Sequence, residues 1–264
     1  MKYLVLLLIV LAGIWWIRQQ RKPSKPSQPA PPQWAHKPCC PAPIAAPTCL
    51  KAMRCVAKAG CIAAKHIAIR MKAEQNTALW RDGWYRFARH TPSPNFGPRP
   101  PDTSVDLIVL HSISLPPGQY GGPEIEALFT NSLDWEAHPY FQEIRGAEVS
   151  AHFVIRRDGA LIQFVSCNDR AWHAGRSHFQ GRDNCNDFSI GIELEGLEGL
   201  TFEAAQYDSL SALCAAIAQH YPVHHIAGHE HVAPNRKKDP GEGFDWQLLQ
   251  RSLGWSNDNF ATKK

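Results

Sequence analysis

The densest concentration of reactive side chains is the segment GHEHVAPNRKKDPGEGF, residues 228–244, which gathers two histidines, three cations and an aspartate in a loop rich in Pro and Gly. His229 and Asp239 stand ten residues apart with Pro234 between them. The proline bars a continuous helix, so a loop can fold both side chains around one ion. A third ligand is offered by His111, at the end of the apolar run VDLIVLH. Two histidines and a carboxylate leave the fourth tetrahedral position of zinc open, which suits catalysis rather than a structural role. Such a metal lowers the pKa of water towards about 7 and polarises a carbonyl. A carboxylate nearby can then accept the water's proton, and a fixed cation can stabilise the developing oxyanion. Glu193 and Lys237 are the candidates for those two roles. Spacing alone leaves other triples open, since the chain has 13 histidines.

These groups need elements to aim them. Residues 105–111 form a short, β-branched apolar run that reads as a buried strand ending in His111. Residues 150–156 and 161–165 read as two antiparallel strands joined through Arg157-Asp158-Gly159. In FSIGIEL, residues 188–194, alternation places Ile190, Ile192 and Leu194 on one face and Glu193 on the other. Residues 202–219, behind a possible Thr201 cap, carry Tyr207, Leu210, Cys214 and Ile217 at the spacing of a core-packing helix. A shorter helix is expected within residues 122–131 through Ile125, Leu128 and Phe129. The expected fold class is α/β, a mixed β-sheet flanked by helices, spanning residues 78–256.

The chain changes character outside that domain. Residues 3–17 are uninterrupted apolar sequence that, at about 1.5 Å per residue, barely crosses a hydrocarbon core of roughly 30 Å. Trp15 and Trp16 take interfacial positions, Arg18, Arg21, Lys22 and Lys25 follow, and no small-x-small cleavage site is evident. Residues 1–22 therefore read as a retained N-terminal membrane anchor with the downstream chain in the cytoplasm. Cleavage of the run as a signal sequence is the alternative, and would make the protein an exported one. Residues 23–77 are a Pro-, Ala- and Cys-rich linker expected to be disordered or part-helical, and residues 257–264 a C-terminal tail.

The net charge of +4 is unevenly spread: residues 1–75 hold twelve Lys or Arg against Glu74 alone, and the remainder sixteen against twenty-three acids. The basic charges of the tail are scattered without a reading helix or stacking aromatics, which argues against a nucleic-acid partner. Five of the eight cysteines lie before residue 62 and form no matched C-x-x-C pairs. A disulfide framework is not expected, a zinc ribbon there is the weaker reading, and free thiols agree with a reducing compartment. Without heptads, the chain is expected to be a monomer.

Five segments in order, HSISLPPGQYGG, SAHFVIRRDG, QFVSCNDRAWHAG, CNDFSIGIELEG and GHEHVAPNRKKDPG, resemble the zinc N-acetylmuramoyl-L-alanine amidases, in particular those acting on 1,6-anhydro-muropeptides. The resemblance implies a zinc-binding α/β domain like that of the peptidoglycan recognition proteins. It implies one zinc ion on His111, His229 and Asp239, with Glu193 as general base and Lys237 as transition-state stabiliser, the same roles that residue chemistry suggests. The reaction implied is hydrolysis of the amide joining the lactyl group of 1,6-anhydro-N-acetylmuramic acid to L-alanine, in muropeptides recycled from the cell wall in the cytoplasm. No nucleotide or organic cofactor is implied. Relatives carry Arg where this chain has Glu148 and Asn184, which bears on stem-peptide recognition, and Arg145, Arg157 or Arg182 are the neighbouring substitutes. Ser112 likewise stands where relatives carry Asn.

Other polar residues in these motifs have plainer readings. Trp172, His173 and Arg236 are candidates for substrate contact, although Trp172 could simply pack and His173 could simply fix its loop. His152 reads as a hydrogen-bonded core histidine, His231 as a solvated one, and Glu198 as a solvated turn residue. Glu195, on the same strand face as Glu193, is the fallback base. The rival class of function is a peptidoglycan-binding module that keeps the fold without activity. Such relatives typically lack a metal ligand, whereas this chain retains all three.

Overall fold

The two longest strands, LIVLHSI and SIGIELE, are buried over most of their length, and apolar side chains fill most of those positions, with His111, Ser112, Ser189, Glu193 and Glu195 as the polar exceptions. The computed structural model describes residues 79–261. Its main sheet contains β1 (Arg89–His90), β2 (Leu107–Ile113), β3 (Phe153–Ile155), β4 (Leu161–Gln163), β5 (Ser189–Glu195), β6 (His225–Gly228) and β7 (Phe260–Ala261). The spatial order is β7-β6-β2-β5-β3-β4-β1. All neighbours run parallel except β3 and β4, the expected antiparallel hairpin. The sheet is therefore mixed, as the sequence implies.

The helices are α1 (Glu124–Phe129), α2 (Pro139–Glu143), α3 (Ala204–His220), α4 (His229–Val232) and α5 (Trp246–Leu253). One face of the central strands, through Ile108, Leu110, Ile190, Ile192 and Leu194, packs in a single cluster with Tyr207, Leu210, Leu213, Cys214 and Ile217 of α3 and Leu249 of α5. Leu107 and Val109, of opposite parity on β2, pack with Ala174, Phe179, Cys185, Phe188 and Val232. His111 shares the parity of Leu107 and Val109, so α3 backs the sheet and leaves the other face to the site. A third cluster joins Ile125, Leu128 and Phe129 of α1 to Val154, Ile162 and Phe164.

Two sequence expectations change. Helix α3 is opened by Glu203 rather than Thr201, and the Glu203 N–H donates to Gln206 Oε1 at 3.0 Å. The domain continues past residue 256, because Phe260–Ala261 pairs in parallel with Ile226–Ala227 and Phe260 is buried. A two-residue strand carries too little periodicity to be seen in sequence. The expected anchor at residues 3–17, the linker at 23–77 and its cysteines lie outside the described residues. Among the described residues no helix is long and apolar enough to cross a membrane, and Cys167, Cys185 and Cys214 are free and buried.

Candidate active site

Parallel pairing brings the first two functional side chains together. β2 and β5 are in register with His111 opposite Glu193, and partners across a parallel ladder project from the same face. The third group arrives by the shortest route available: β6 lies on the other side of β2 and ends at Gly228, so the next residue, His229, starts the short helix α4 at the same edge of the sheet. Gly228 is needed there, since a Cβ would lie 2.9 Å from Pro240 Cδ. The ten-residue loop closes when the Glu230 N–H donates to the Asp239 carbonyl at 2.9 Å, which brings Asp239 back beside His229.

His111 Nδ1, His229 Nδ1 and Asp239 Oδ2 converge, with separations of 2.9 Å between the nitrogens and 3.1 and 3.0 Å from each to the oxygen. All three residues are buried. Ligands about 2.0–2.2 Å from a tetrahedral zinc lie roughly 3.3 Å from one another, so the cluster needs to open by only a few tenths of an ångström to hold that ion. The outward nitrogens agree: His229 Nε2 faces the Ala174 carbonyl at 3.1 Å and His111 Nε2 faces His173 Nδ1 at 3.0 Å. Of the two groups at His229 Nε2, the acceptor-only Ala174 carbonyl at 3.1 Å lies closer than the donor-only Arg236 guanidinium at 3.3 Å, which favours a proton on Nε2 and turns the Nδ1 lone pair into the cluster. The donor set therefore fits a metal.

Burial is the main force on the charges here. It pushes His111 down to about 4, aided by neighbouring His229 and opposed by Asp239, and it pushes His173 well below the ordinary histidine range. Burial would raise Asp239, but its contacts with His111 and His229 outweigh that and hold it below the usual carboxylate range. Burial raises Glu193 well above an ordinary Glu, the Asp239 carboxylate adds to the effect and Lys237 opposes it. Glu193 Oε2 is enclosed without a hydrogen-bond partner among the described residues. A carboxylate so placed is primed to bind a proton.

A cleft of about 340 Å³ opens over these groups, lined by His111, His229, Asp239, Glu193, Lys237 and Trp172, with apolar walls that include Leu115, Leu128 and Tyr140. Lys237 is exposed at its rim, with its backbone N–H bonded to the Ala233 carbonyl. Trp172 thus borders the space a substrate would occupy. His173 also lines the cleft, but both ring nitrogens are engaged, with His111 and with Ser189 Oγ. Arg236 bonds the carbonyls of Ala174 and Arg176, so its guanidinium braces the loop behind His229.

Glu195 and His231 depart from their sequence readings, whereas His152 keeps its own. Glu195 binds Arg156 at 2.8 Å and accepts the N–H groups of Gly121 and Arg157, which leaves it tied to the loop and hairpin around it rather than free to act as a base. His231 is part-buried, its Nδ1 accepting the Gly228 N–H while its ring packs on Trp246 with centroids 5.3 Å apart. His152 is a core histidine, accepting the Gly191 N–H on Nδ1 and facing the Asp169 carbonyl with Nε2. Arg145, Arg157 and Arg182 pair with Glu136, Glu203 and Asp106 respectively. Asn184 binds the Asp187 carboxylate, and Glu148 is exposed.

Sequence reasoning missed Asn186 and Ser189. The buried Asn186 Oδ1 accepts the N–H groups of both His173 and Ala174. Ser189 Oγ donates to the Cys185 carbonyl at 2.6 Å. Small polar residues in a loop have too many possible partners for sequence to assign.

Comparison with known proteins follows the same outline. The family model for N-acetylmuramoyl-L-alanine amidases matches residues 101–242. The 1,6-anhydro-N-acetylmuramyl-L-alanine amidase AmpD of Citrobacter freundii is 53% identical over 170 residues, 64% of this chain and 91% of the relative. AmpD of Escherichia coli strain K12 is 52% identical over 170 residues, 64% of this chain and 93% of the relative. A crystal structure of a selenomethionine AmpD derivative aligns with a TM-score of 0.65 at 50% identity, covering 66% of this chain and 99% of the other. Since the matched stretch exceeds half the chain and runs from before the His111 strand to beyond Asp239, this protein belongs to the N-acetylmuramoyl-L-alanine amidase family.

Proposed function

We propose that this protein hydrolyses the amide between 1,6-anhydro-N-acetylmuramic acid and L-alanine in muropeptides released during cell-wall recycling. The observation that carries this reading is the convergence of His111, His229 and Asp239 on one point, with Glu193 in register beside His111 and Lys237 at the rim of the same cleft. Identity above half across nearly the whole length of AmpD relatives supports the choice of substrate.

His111, His229 and Asp239 hold a single zinc ion, which when bound polarises the scissile carbonyl and lowers the pKa of water. Glu193 accepts the proton of the attacking water and returns it to the departing amine of L-alanine. Its enclosure and raised proton affinity suit both halves of that exchange. Lys237 places positive charge where the carbonyl oxygen becomes negative. Trp172 and the apolar walls of the cleft receive the sugar and the first residues of the peptide. The protein works as a monomer in the cytoplasm, with residues 3–17 as a tether to the inner membrane.

The test incubates the full-length protein with anhydro-muramyl tripeptide, with and without a chelator. Zinc-dependent release of free tripeptide is expected. Tight binding without any release would favour an inactive peptidoglycan-binding module, and recovery of the protein outside the inner membrane would favour an exported amidase.

A further inference from the structure

We propose that His173 is a positioning residue that fixes the tautomer of His111, so that the single segment His173–Ala174 aims both metal-binding imidazoles. The inference rests on the reading that the His111, His229 and Asp239 cluster holds zinc.

One proton in this cluster has an unambiguous place. Ser189 Oγ lies 2.6 Å from the Cys185 carbonyl, and only the hydroxyl can supply the hydrogen between them. Ser189 Oγ therefore meets His173 Nε2, 3.3 Å away, as an acceptor, and His173 carries its proton on Nε2. His173 Nδ1 is left as a lone pair facing His111 Nε2 at 3.0 Å. His111 must then carry its proton on Nε2 and expose Nδ1 to His229 and Asp239. One polarity runs from the Cys185 carbonyl through Ser189 and His173 to the inner nitrogen of His111. The next residue does the same for the second imidazole, because the Ala174 carbonyl faces His229 Nε2 at 3.1 Å.

The surroundings hold this segment in place. Asn186 Oδ1 accepts the N–H groups of His173 and Ala174 at 3.1 and 2.7 Å, which sets the turn that separates the ring from the carbonyl. Opposite the ring stands Gly191 of β5, where a Cβ would lie 2.4 Å from His173 Cγ. That glycine adopts no left-handed conformation, so the ring rather than the backbone forbids a side chain there. Partners that orient a ligating histidine typically contribute 10–100-fold to metal affinity.

The experiment compares full-length wild type, His173→Phe and His173→Asn in a zinc competition titration against a chromophoric chelator. Asn offers its Oδ1 near the place of the imidazole Nδ1, whereas Phe fills the space with no acceptor. The expected result is a zinc Kd raised about 10–100-fold in His173→Phe and largely restored in His173→Asn. Equal affinity in wild type and His173→Phe would overturn the proposal while leaving the metal reading intact, and so would an Asn variant as weak as the Phe variant. A wild type that takes up no zinc would overturn both. Nitrogen-15 spectra of the histidine rings in the wild type test the same point without a variant: His111 and His173 should both show the Nε2–H tautomer, and a proton on Nδ1 of His173 would refute the relay.

Discussion

Glu193 and His111 are register partners on adjacent parallel strands, so a carboxylate and an imidazole of the candidate metal cluster leave the same face of the sheet side by side. Both are carried by long, largely buried strands at the centre of the sheet, which fixes their separation far better than a loop would. Glu193→Gln keeps the shape and removes the proposed base. Peptide release should fall by about 10²–10⁴-fold while zinc content, measured by atomic absorption, stays at one ion per chain. A variant with undiminished turnover would show that another group takes the proton.

In the proposed mechanism Lys237 acts on charge that develops during the reaction, so its loss should appear in kcat more than in KM. Lys237→Met is expected to lower kcat on the order of 100-fold or more, with zinc affinity little changed. Steady-state kinetics on anhydro-muramyl tripeptide would reveal the opposite pattern, a raised KM at constant kcat, if the lysine merely held substrate.

The buried pair Glu195–Arg156 separates structural from chemical carboxylates. Arg156→Met leaves Glu195 as a buried charge without its cation, which should cost about 3–5 kcal/mol in urea unfolding. Stability equal to wild type would mean that the Gly121 and Arg157 N–H groups suffice to support the charge.

Acid should weaken the zinc-free fold through its buried histidines. Burial, with Arg99 nearby, pushes His152 down to about 3, and burial pushes His111 down to about 4. As pH falls below about 6.5 the unfolded chain gains protons that the folded chain refuses, so each such group costs stability at about 1.4 kcal/mol per pH unit until its folded pKa is reached. Above about 6.5 both states are neutral and the effect vanishes. His173 adds to this loss, and Glu193, held above its usual range, works against it. With three histidines against one glutamate, the urea midpoint of the zinc-free protein should be lower at pH 5.5 than at pH 7, and a higher midpoint at pH 5.5 would contradict the burial argument.

Gly191→Ala tests the packing behind the metal without altering any polar group. The added methyl meets the His173 ring, so a loss of about 1–3 kcal/mol is expected from overpacking. Zinc affinity should fall with it, because the ring cannot retreat and still reach His111. Calorimetric unfolding and zinc titration of the same variant check both halves.

What sequence revealed and what it concealed divide along physical lines. Strand β5 was legible because a period of two sorts Ile190, Ile192 and Leu194 from Glu193, and the His229–Asp239 loop was legible because proline and glycine enforce it. Glu195 misled for the same reason that Glu193 was found: period two gives the face but not the neighbour, and Arg156 arrives from the hairpin across the sheet. The role of His173 was hidden more deeply. It depends on where the protons of Ser189 and His111 sit, which follows from three-dimensional donor and acceptor geometry and leaves no trace in spacing. Phe260 was missed because a two-residue strand has no pattern to read.

That last strand governs how the domain can be handled. β7 pairs along the outer side of β6, and β6 runs straight into His229. A chain cut at residue 256, where sequence composition suggested the domain ends, would bare the edge of β6 that β7 now covers at Ile226–Ala227. Exposed strand edges recruit strands from other molecules. Such a fragment would be prone to self-association, and it would lose metal as well, because the strand that delivers His229 would have become the sticky rim of the sheet.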